Sequence, residues 1–241
     1  MKSTSFIVPV YNEAKRLPHT INEMLNFIRS RPEPSEIIFV DDGSTDGTLC
    51  CLWGVMGCSN VRIITYRQNR GKGYAIKRGM IEACNDIVFF MDADLSVPLS
   101  VADEFLRAFD DDSVGIVIGS RRIEGSKVTQ RQHWLRESLG RVFTALSNIL
   151  VPGVSDFTCG FKAFRRETGQ RLFVAALVDD WSFDTEILFL AQRAKSRTVE
   201  VPVEWHDVKG SKVHALRNGL TCLWRLVAIR VNYVLGRYRN L

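Results

Sequence analysis

Short apolar runs alternate with amphipathic stretches along the first half of the chain. Ser5–Val10, Glu36–Val40, Val61–Thr65, Ile87–Met91 and Val114–Gly119 are rich in β-branched and aromatic residues and predict strands. Between them, Leu17–Arg29, Thr48–Met56, Tyr74–Ala83 and Ser100–Phe109 predict helices. Strands alternating with helices predict an α/β architecture with a mostly parallel twisted sheet flanked by helices. The second half is less regular. Gln130–Leu150 and Asp184–Ala194 predict helices, and Cys159–Arg165 and Thr198–Val203 predict strands. The segment Ser211–Arg239 predicts a long helix with two apolar stripes. One stripe is Leu216, Leu220, Leu223, Val227, Val231 and Val234; the other is Leu226, Ile229 and Tyr233. Arginines lie between them. Such a helix docks one face on the body and turns the other to something else, or it is a plain packing helix with a solvated basic face.

Polar motifs fall at the ends of the predicted strands. Pro9-Val10-Tyr11-Asn12-Glu13 follows the first, Asp41-Asp42-Gly43-Ser44 the second and Asn69-Arg70-Gly71-Lys72-Gly73 the third. Asp92-Ala93-Asp94 follows the fourth and Gly119-Ser120-Arg121 the fifth. Ligands of open α/β sheets sit beyond the carboxyl ends of the strands, so these motifs predict one shared site.

Composition narrows the class. With 46% hydrophobic and 24% charged residues in 241, the chain is an ordinary globular one, long enough for a sizeable core. No internal repeat or linker divides it. No signal peptide is visible and no run of about 18 apolar residues predicts a membrane-spanning helix. The six cysteines form no C-x-x-C pair, which predicts free thiols in a reducing compartment rather than a zinc site. Charge is uneven: residues 208–241 hold seven Lys or Arg and no Asp or Glu. A basic tail suits nucleic acid or an anionic membrane surface.

Each motif has a structural and a chemical reading. Asp92 and Asp94 can share a hard divalent cation and its diphosphate, since Mg²⁺ takes one or two carboxylates and fills its shell with phosphate oxygens and water. Alternatively one of them caps the next helix. Asp41 and Asp42 suit a turn, and one of them suits hydrogen bonds from a base or ribose. Gly71 and Lys72 open a helix, offering backbone N–H groups and a cation to a diphosphate. The spacing is neither that of a Walker loop nor of the dinucleotide fingerprint. Tyr11 and Glu13 put an aromatic and a carboxylate at the first strand end.

The ordered set of Pro-Val-Tyr-Asn-Glu, Val-Asp-Asp-Gly-Ser-x-Asp-x-Thr, Asn-x-Gly-Lys-Gly-x-Ala and Asp-Ala-Asp resembles family 2 glycosyltransferases of the GT-A fold. Asp156–Phe164, Trp181–Glu186 and Val201–Val213 are similar to the dolichyl-phosphate (polyprenyl-phosphate) hexosyltransferases, and the Asp-Leu-Ser-x-Pro and Thr-Cys-Gly-Phe-Lys blocks to their β-glucosyl type. The resemblance spans residues 5–230. It implies a GT-A catalytic domain over 1–210, with 211–241 as a basic amphipathic helix packed on it and a candidate membrane-interface element. It implies a nucleoside-diphosphate-sugar donor (UDP-glucose favoured over GDP-mannose), a divalent metal, Mg²⁺ or Mn²⁺, and a polyprenyl or dolichyl phosphate acceptor. By position, Pro9, Tyr11, Glu13, Asp41, Asp42, Gly71, Lys72 and Asp92 would line the nucleotide pocket. Asp92 and Asp94 would bind the metal. Asp92, Asp94, Lys72 and Arg121 would carry catalysis. Arg121, Arg131 and Arg136 would meet the acceptor phosphate, with Lys162, Asp184 and Glu186 behind them. Some mannosyl members place a metal-binding Gln where this chain has Ser96.

A phosphate acceptor is largely dianionic at pH 7 and needs cations to hold it rather than a general base. Direct displacement then gives inversion and a β-linked product. A lipid acceptor requires membrane contact, so peripheral attachment to the cytoplasmic face, through 130–151, 211–241 or both, is expected. Two alternatives stand beside this reading. A hydroxyl acceptor on a polysaccharide or glycolipid would turn Asp184 or Glu186 into base candidates. A non-enzymatic nucleic-acid-binding protein would use the basic tail, but no nucleic-acid module is recognisable.

Overall fold

A computed structural model describes residues 2–129, 134–206 and 215–238. The strands are β1 (Thr4–Val10), β2 (Ser35–Asp41), β3 (Val61–Thr65), β4 (Ile87–Met91), β5 (Val114–Ser120), β6 (Lys127–Val128), β7 (Phe161–Arg165), β8 (Arg197–Pro202) and β9 (Glu204–Trp205). The helices are α1 (Leu17–Arg29), α2 (Thr48–Trp53), α3 (Lys72–Glu82), α4 (Ala102–Ala108), α5 (Trp134–Leu150), α6 (Arg166–Ala175), α7 (Phe183–Arg193) and α8 (Ala215–Val234). Seven strands form one sheet in the order β3-β2-β1-β4-β7-β5-β8. All pair in parallel except β7, which runs antiparallel between β4 and β5. β6 and β9 form a small separate parallel pair.

Both faces of the sheet are covered, as buried parallel strands require. On one face Leu17, Ile21, Met24 and Ile28 of α1, with Phe105 of α4, pack on Phe6, Phe39 and Phe89. On the other, Ala75, Ile76 and Met80 of α3, Leu172 and Phe173 of α6, and Ile187 and Leu188 of α7 pack on Ile7, Val40 and Phe90. β4 is buried along its whole length, which explains its uninterrupted apolar sequence.

α8 lies against α5 and α7. Ile229 is fully buried and Leu226 nearly so, and Tyr233 meets Phe189 edge-on at 5.3 Å. Trp224, Val227, Val231, Val234 and Leu235 are exposed on its other side. Both predicted stripes therefore exist from residue 224 onward, one docked and one outward. The helix stops before Gly236, whose φ of +64° is a helix-ending conformation that glycine adopts without strain. The predicted start at residues 211–214, and that of the 130–150 helix at 130–133, lie outside the described residues. The predicted 100–109 helix is a 3₁₀ turn at Leu99–Val101 followed by α4.

Candidate active site

Because β7 alone is reversed in the seven-stranded sheet, its first residues reach the edge where its neighbours β4 and β5 end, and Gly160 meets Asp92 there. Asp92, just after β4, is partly exposed and ion-pairs with Lys72 at 2.5 Å. The backbone of Asp92 donates to the Gly160 carbonyl at 3.1 Å. A Cβ at Gly160 would overlap the Asp92 carboxylate, so only glycine allows β7 this close.

Asp94 is held on one oxygen by Ser96, whose backbone N–H and hydroxyl donate at 3.0 and 2.7 Å. Its other oxygen lies 3.8 Å from Arg16. Arg16 also pairs with Glu13 at 3.1 Å, which joins the loop after β1 to the acidic pair. Sequence reasoning missed Arg16. Its signal was the three-residue spacing from Glu13. Ser96 is spent on orienting Asp94, which accounts for a serine at this position. Two carboxylates with unshared oxygen pairs, facing solvent at a strand end, fit a hard divalent cation whose remaining shell is phosphate and water. Among the described residues no cluster of three His, Cys, Asp or Glu side chains supplies a fuller cage.

Lys72 is the first residue of α3. Burial pulls its pKa down, but Asp92, Asp184 and Asp94 outweigh burial and hold it above the ordinary lysine value. Its ammonium lies 5.1 Å from the Trp181 ring centre. Gly71, at φ +103°, approaches the 179–180 backbone so closely that a Cβ would sit 2.6 Å from the Asp179 carbonyl oxygen. Asp42 shapes this loop. Its carboxylate accepts from Asn69 Nδ2 at 2.9 Å and from the backbone N–H groups of Arg70 and Gly71 at 2.8 and 2.9 Å. Both oxygens of Asp42 are thereby occupied. Asp41 is buried too, accepting from Ser44 N–H at 3.2 Å and the Thr65 hydroxyl at 3.1 Å. The turn reading thus holds for both, and Asp41 has fewer of its acceptor sites filled than Asp42. Pro9 lies within β1, and Tyr11 is half-exposed at its end.

Arg121, just past β5, forks onto Asp156 with Nε and Nη2 at 2.7 and 2.9 Å, and Nη2 also reaches Thr158 at 2.8 Å. Asp156 is fully buried. Burial would raise its pKa, but Arg121 overrides this and brings it down to about 2. Arg121 is therefore half of an ion pair, not a free cation. Arg131 lies outside the described residues, and so does the side chain of Arg136. Arg122 reaches the Thr144 hydroxyl of α5 at 2.6 Å.

Lys162 is buried and pairs with Asp184 at 2.7 Å, donating also to the Phe157 and Cys159 carbonyls. Burial raises the Asp184 pKa, countered by Lys162 and Lys72. Glu186 lies away from this cluster. It accepts from Leu177 and Val178 N–H at 3.0 and 2.8 Å and from the Tyr238 hydroxyl at 2.8 Å. Both its oxygens hold partners and its pKa is raised, chiefly by burial, so it is a structural tie for the loop before α7.

Glycosyl transferase family 2 matches residues 5–173, and those residues hold every strand from β1 to β7 and both Asp92 and Asp94. The chain belongs to that family. This glycosyltransferase is 33% identical to the dolichyl-phosphate beta-glucosyltransferase of Dictyostelium discoideum, across 98% of this chain and 76% of that protein. It is 36% identical to the Drosophila melanogaster enzyme of the same name, with the same shares covered. Its fold is that of mannosyl-3-phosphoglycerate synthase from Rubrobacter xylanophilus, at TM-score 0.71 and 20% identity over 100% of this chain and 77% of the other. The UDP complex of glucosyl-3-phosphoglycerate synthase from Mycobacterium tuberculosis gives TM-score 0.66 and 19% identity over 98% and 80%. The GT-A expectation is therefore met, and the nucleic-acid-binding alternative falls.

Proposed function

We propose that this glycosyltransferase moves glucose from UDP-glucose to the phosphate of a dolichyl or related polyprenyl lipid, with inversion, at a membrane surface. The observation that carries the reading is the near-full-length identity to dolichyl-phosphate beta-glucosyltransferases, together with Asp92, Asp94 and Lys72 at one strand edge. Residues 1–210 serve as the catalytic domain and 211–241, which include α8, as its basic appendage.

In this reading the donor's uridine lies along Pro9, Tyr11, Glu13 and Asp41. Its diphosphate meets the N–H groups at the start of α3 and the Lys72 ammonium. Asp92 and Asp94 would hold Mg²⁺ or Mn²⁺, which supplies charge neutralisation for the leaving diphosphate. A glucosyl-3-phosphoglycerate synthase of this fold has been crystallised with Mn²⁺ and UDP-glucose. Lys72 stays charged because three carboxylates surround it, so it is ready to stabilise the diphosphate as negative charge grows there.

The acceptor side supports a phosphate nucleophile. A hydroxyl acceptor needs a base, but Glu186 is tied on both oxygens to Leu177, Val178 and Tyr238, and Asp184 is committed to Lys162. A phosphate dianion needs none. Arg121 with Asp156, and by sequence Arg131 and Arg136, are the groups assigned to it. Contact with the lipid falls to the exposed stripe of α8 and to Val142 and Ile149 of α5. No described helix is long and apolar enough to cross a membrane, which leaves interfacial contact as the mode for these segments. Attachment on the cytoplasmic face fits the exposed thiols of Cys50 and Cys84, which persist in a reducing compartment.

The test is transfer of radiolabel from UDP-glucose or GDP-mannose to polyprenyl phosphate, extracted into organic solvent, with Mg²⁺ or Mn²⁺. Label from UDP-glucose that disappears in Asp94→Ala is the expected result. Label from GDP-mannose alone would correct the sugar. Metal-dependent release of nucleotide without lipid label would overturn the acceptor.

A further inference from the structure

The segment between α6 and α7 is gripped from two sides. On the site side, the Asp179 carbonyl accepts from Tyr74 N–H at 3.2 Å, its carboxylate lies 3.8 Å from Arg70, and Gly71 and Gly73 pack against its backbone. The next residue but one, Trp181, lies beside the Lys72 ammonium. On the far side, Arg225 of α8 pairs with Asp180 through Nε at 2.6 Å. The other oxygen of Asp180 accepts from Ser182 N–H at 2.9 Å and fixes the turn into α7. Asp180 therefore stands between α8 and the loop that begins α3.

We propose that Arg225 is a positioning residue for the donor site: through Asp180 it sets the 179–182 turn, and that turn sets Lys72 and the N–H groups of the 70–74 loop. The proposal rests on the reading that this loop receives the diphosphate of a nucleotide sugar. Arg225 is too far along the chain of contacts to touch the donor, yet the turn it fixes forms one wall of the Lys72 position. The pair is partly exposed, at 39% and 30% of the two side chains, so its effect is a modest one. Docking of α8 does not depend on it, because Leu226, Ile229 and the Tyr238–Glu186 bond hold the helix independently.

Isothermal titration with UDP in the presence of Mn²⁺ tests this on the full chain, with thermal melting measured beside it. The variants are Arg225→Ala, Asp180→Asn (which keeps the acceptor for Ser182), the double variant and Arg225→Lys. Arg230→Ala, on the same helix, is the control. Arg225→Ala is expected to weaken UDP binding about fivefold with little change in Tm. The double variant should bind no worse than the poorer single one, because both act through one contact. Arg225→Lys should recover part of the loss. UDP affinity unchanged in Arg225→Ala overturns the proposal, and so do losses that add in the double variant. If Arg225→Ala does not fold, Asp180→Asn and Arg225→Lys decide by the same readout. A wild-type chain that binds no UDP overturns the nucleotide reading of the loop instead.

Discussion

Arg121 and Asp156 show how one residue's neighbours redefine its role. As a lone cation after β5, Arg121 suits an anionic acceptor. Its fork on a fully buried carboxylate makes it first a structural group. The Asp156 pKa falls from 3.8 in the free group to about 2 in the folded chain. A lowered acid pKa stabilises the fold above the unfolded value and is lost as pH falls through the folded one. The pair thus contributes about 2 kcal/mol at neutral pH, an amount that fades between about pH 4 and pH 2. Urea midpoints measured across that window should show the loss, and Asp156→Asn should flatten it. At neutral pH the same substitution should cost about 3–5 kcal/mol, because it strands Arg121 without its charge partner. Cys159 makes a second residue-scale case. Burial pushes its thiol up to about 11, so it should resist a thiol reagent in the native state while exposed Cys50 and Cys84 react. Mass spectrometry of the labelled chain checks this.

At the scale of elements, the pattern of apolar positions carries most of the fold. β1 to β5 and α1 to α4 follow from it because each has a stretch rich in apolar residues or one clear stripe. α6 does not. Gly169 sits in its middle, where propensity argues against a helix. The glycine is needed because a Cβ there would lie 2.6 Å from the Met80 sulfur of α3. β6 and β9 have two residues each, too few to show a period. The gathering of Asp92, Asp94 and Lys72 was legible, because each lies in the loop or helix start that follows a strand in the sequence. The site was not legible where a partner comes from elsewhere in the chain, since nothing in the spacing of Arg121 points to Asp156, or of Glu186 to Tyr238. Tyr238→Phe removes one such partner and leaves a buried Glu186 oxygen unmet. It should cost about 1–3 kcal/mol in chemical denaturation. Replacing Trp224, Val227 and Val231 by Ser should instead leave Tm unchanged and abolish sedimentation with anionic lipid vesicles, since those side chains are exposed.

For the whole molecule, the candidate site draws on residues from Glu13 to Asp184, so a ligand bound there would brace elements far apart in the chain. Binding to the folded state alone stabilises it by about 2.7 kcal/mol at a hundredfold excess over Kd. For a chain of 241 residues that is a rise of several degrees in Tm. UDP with Mn²⁺ should produce the rise in wild type, and Asp94→Ala should show little of it.

The reversed position of β7 also orders events in time. During synthesis β2 to β4 leave the ribosome in an order that lets each find a neighbour already made. β5 does not, because its two partners are β7 and β8, both made later. At about 5–20 residues per second, the stretch from Ser120 to Arg165 leaves β5 without a partner strand for about 2–9 s. Its sequence is buried along its entire length in the finished sheet, so this interval is when the nascent chain most needs shielding from other chains. Ribosome-bound chains arrested so that residue 120 has cleared the tunnel but residue 161 has not should be cut by protease within 114–120. Chains in which Arg165 has cleared the tunnel should resist.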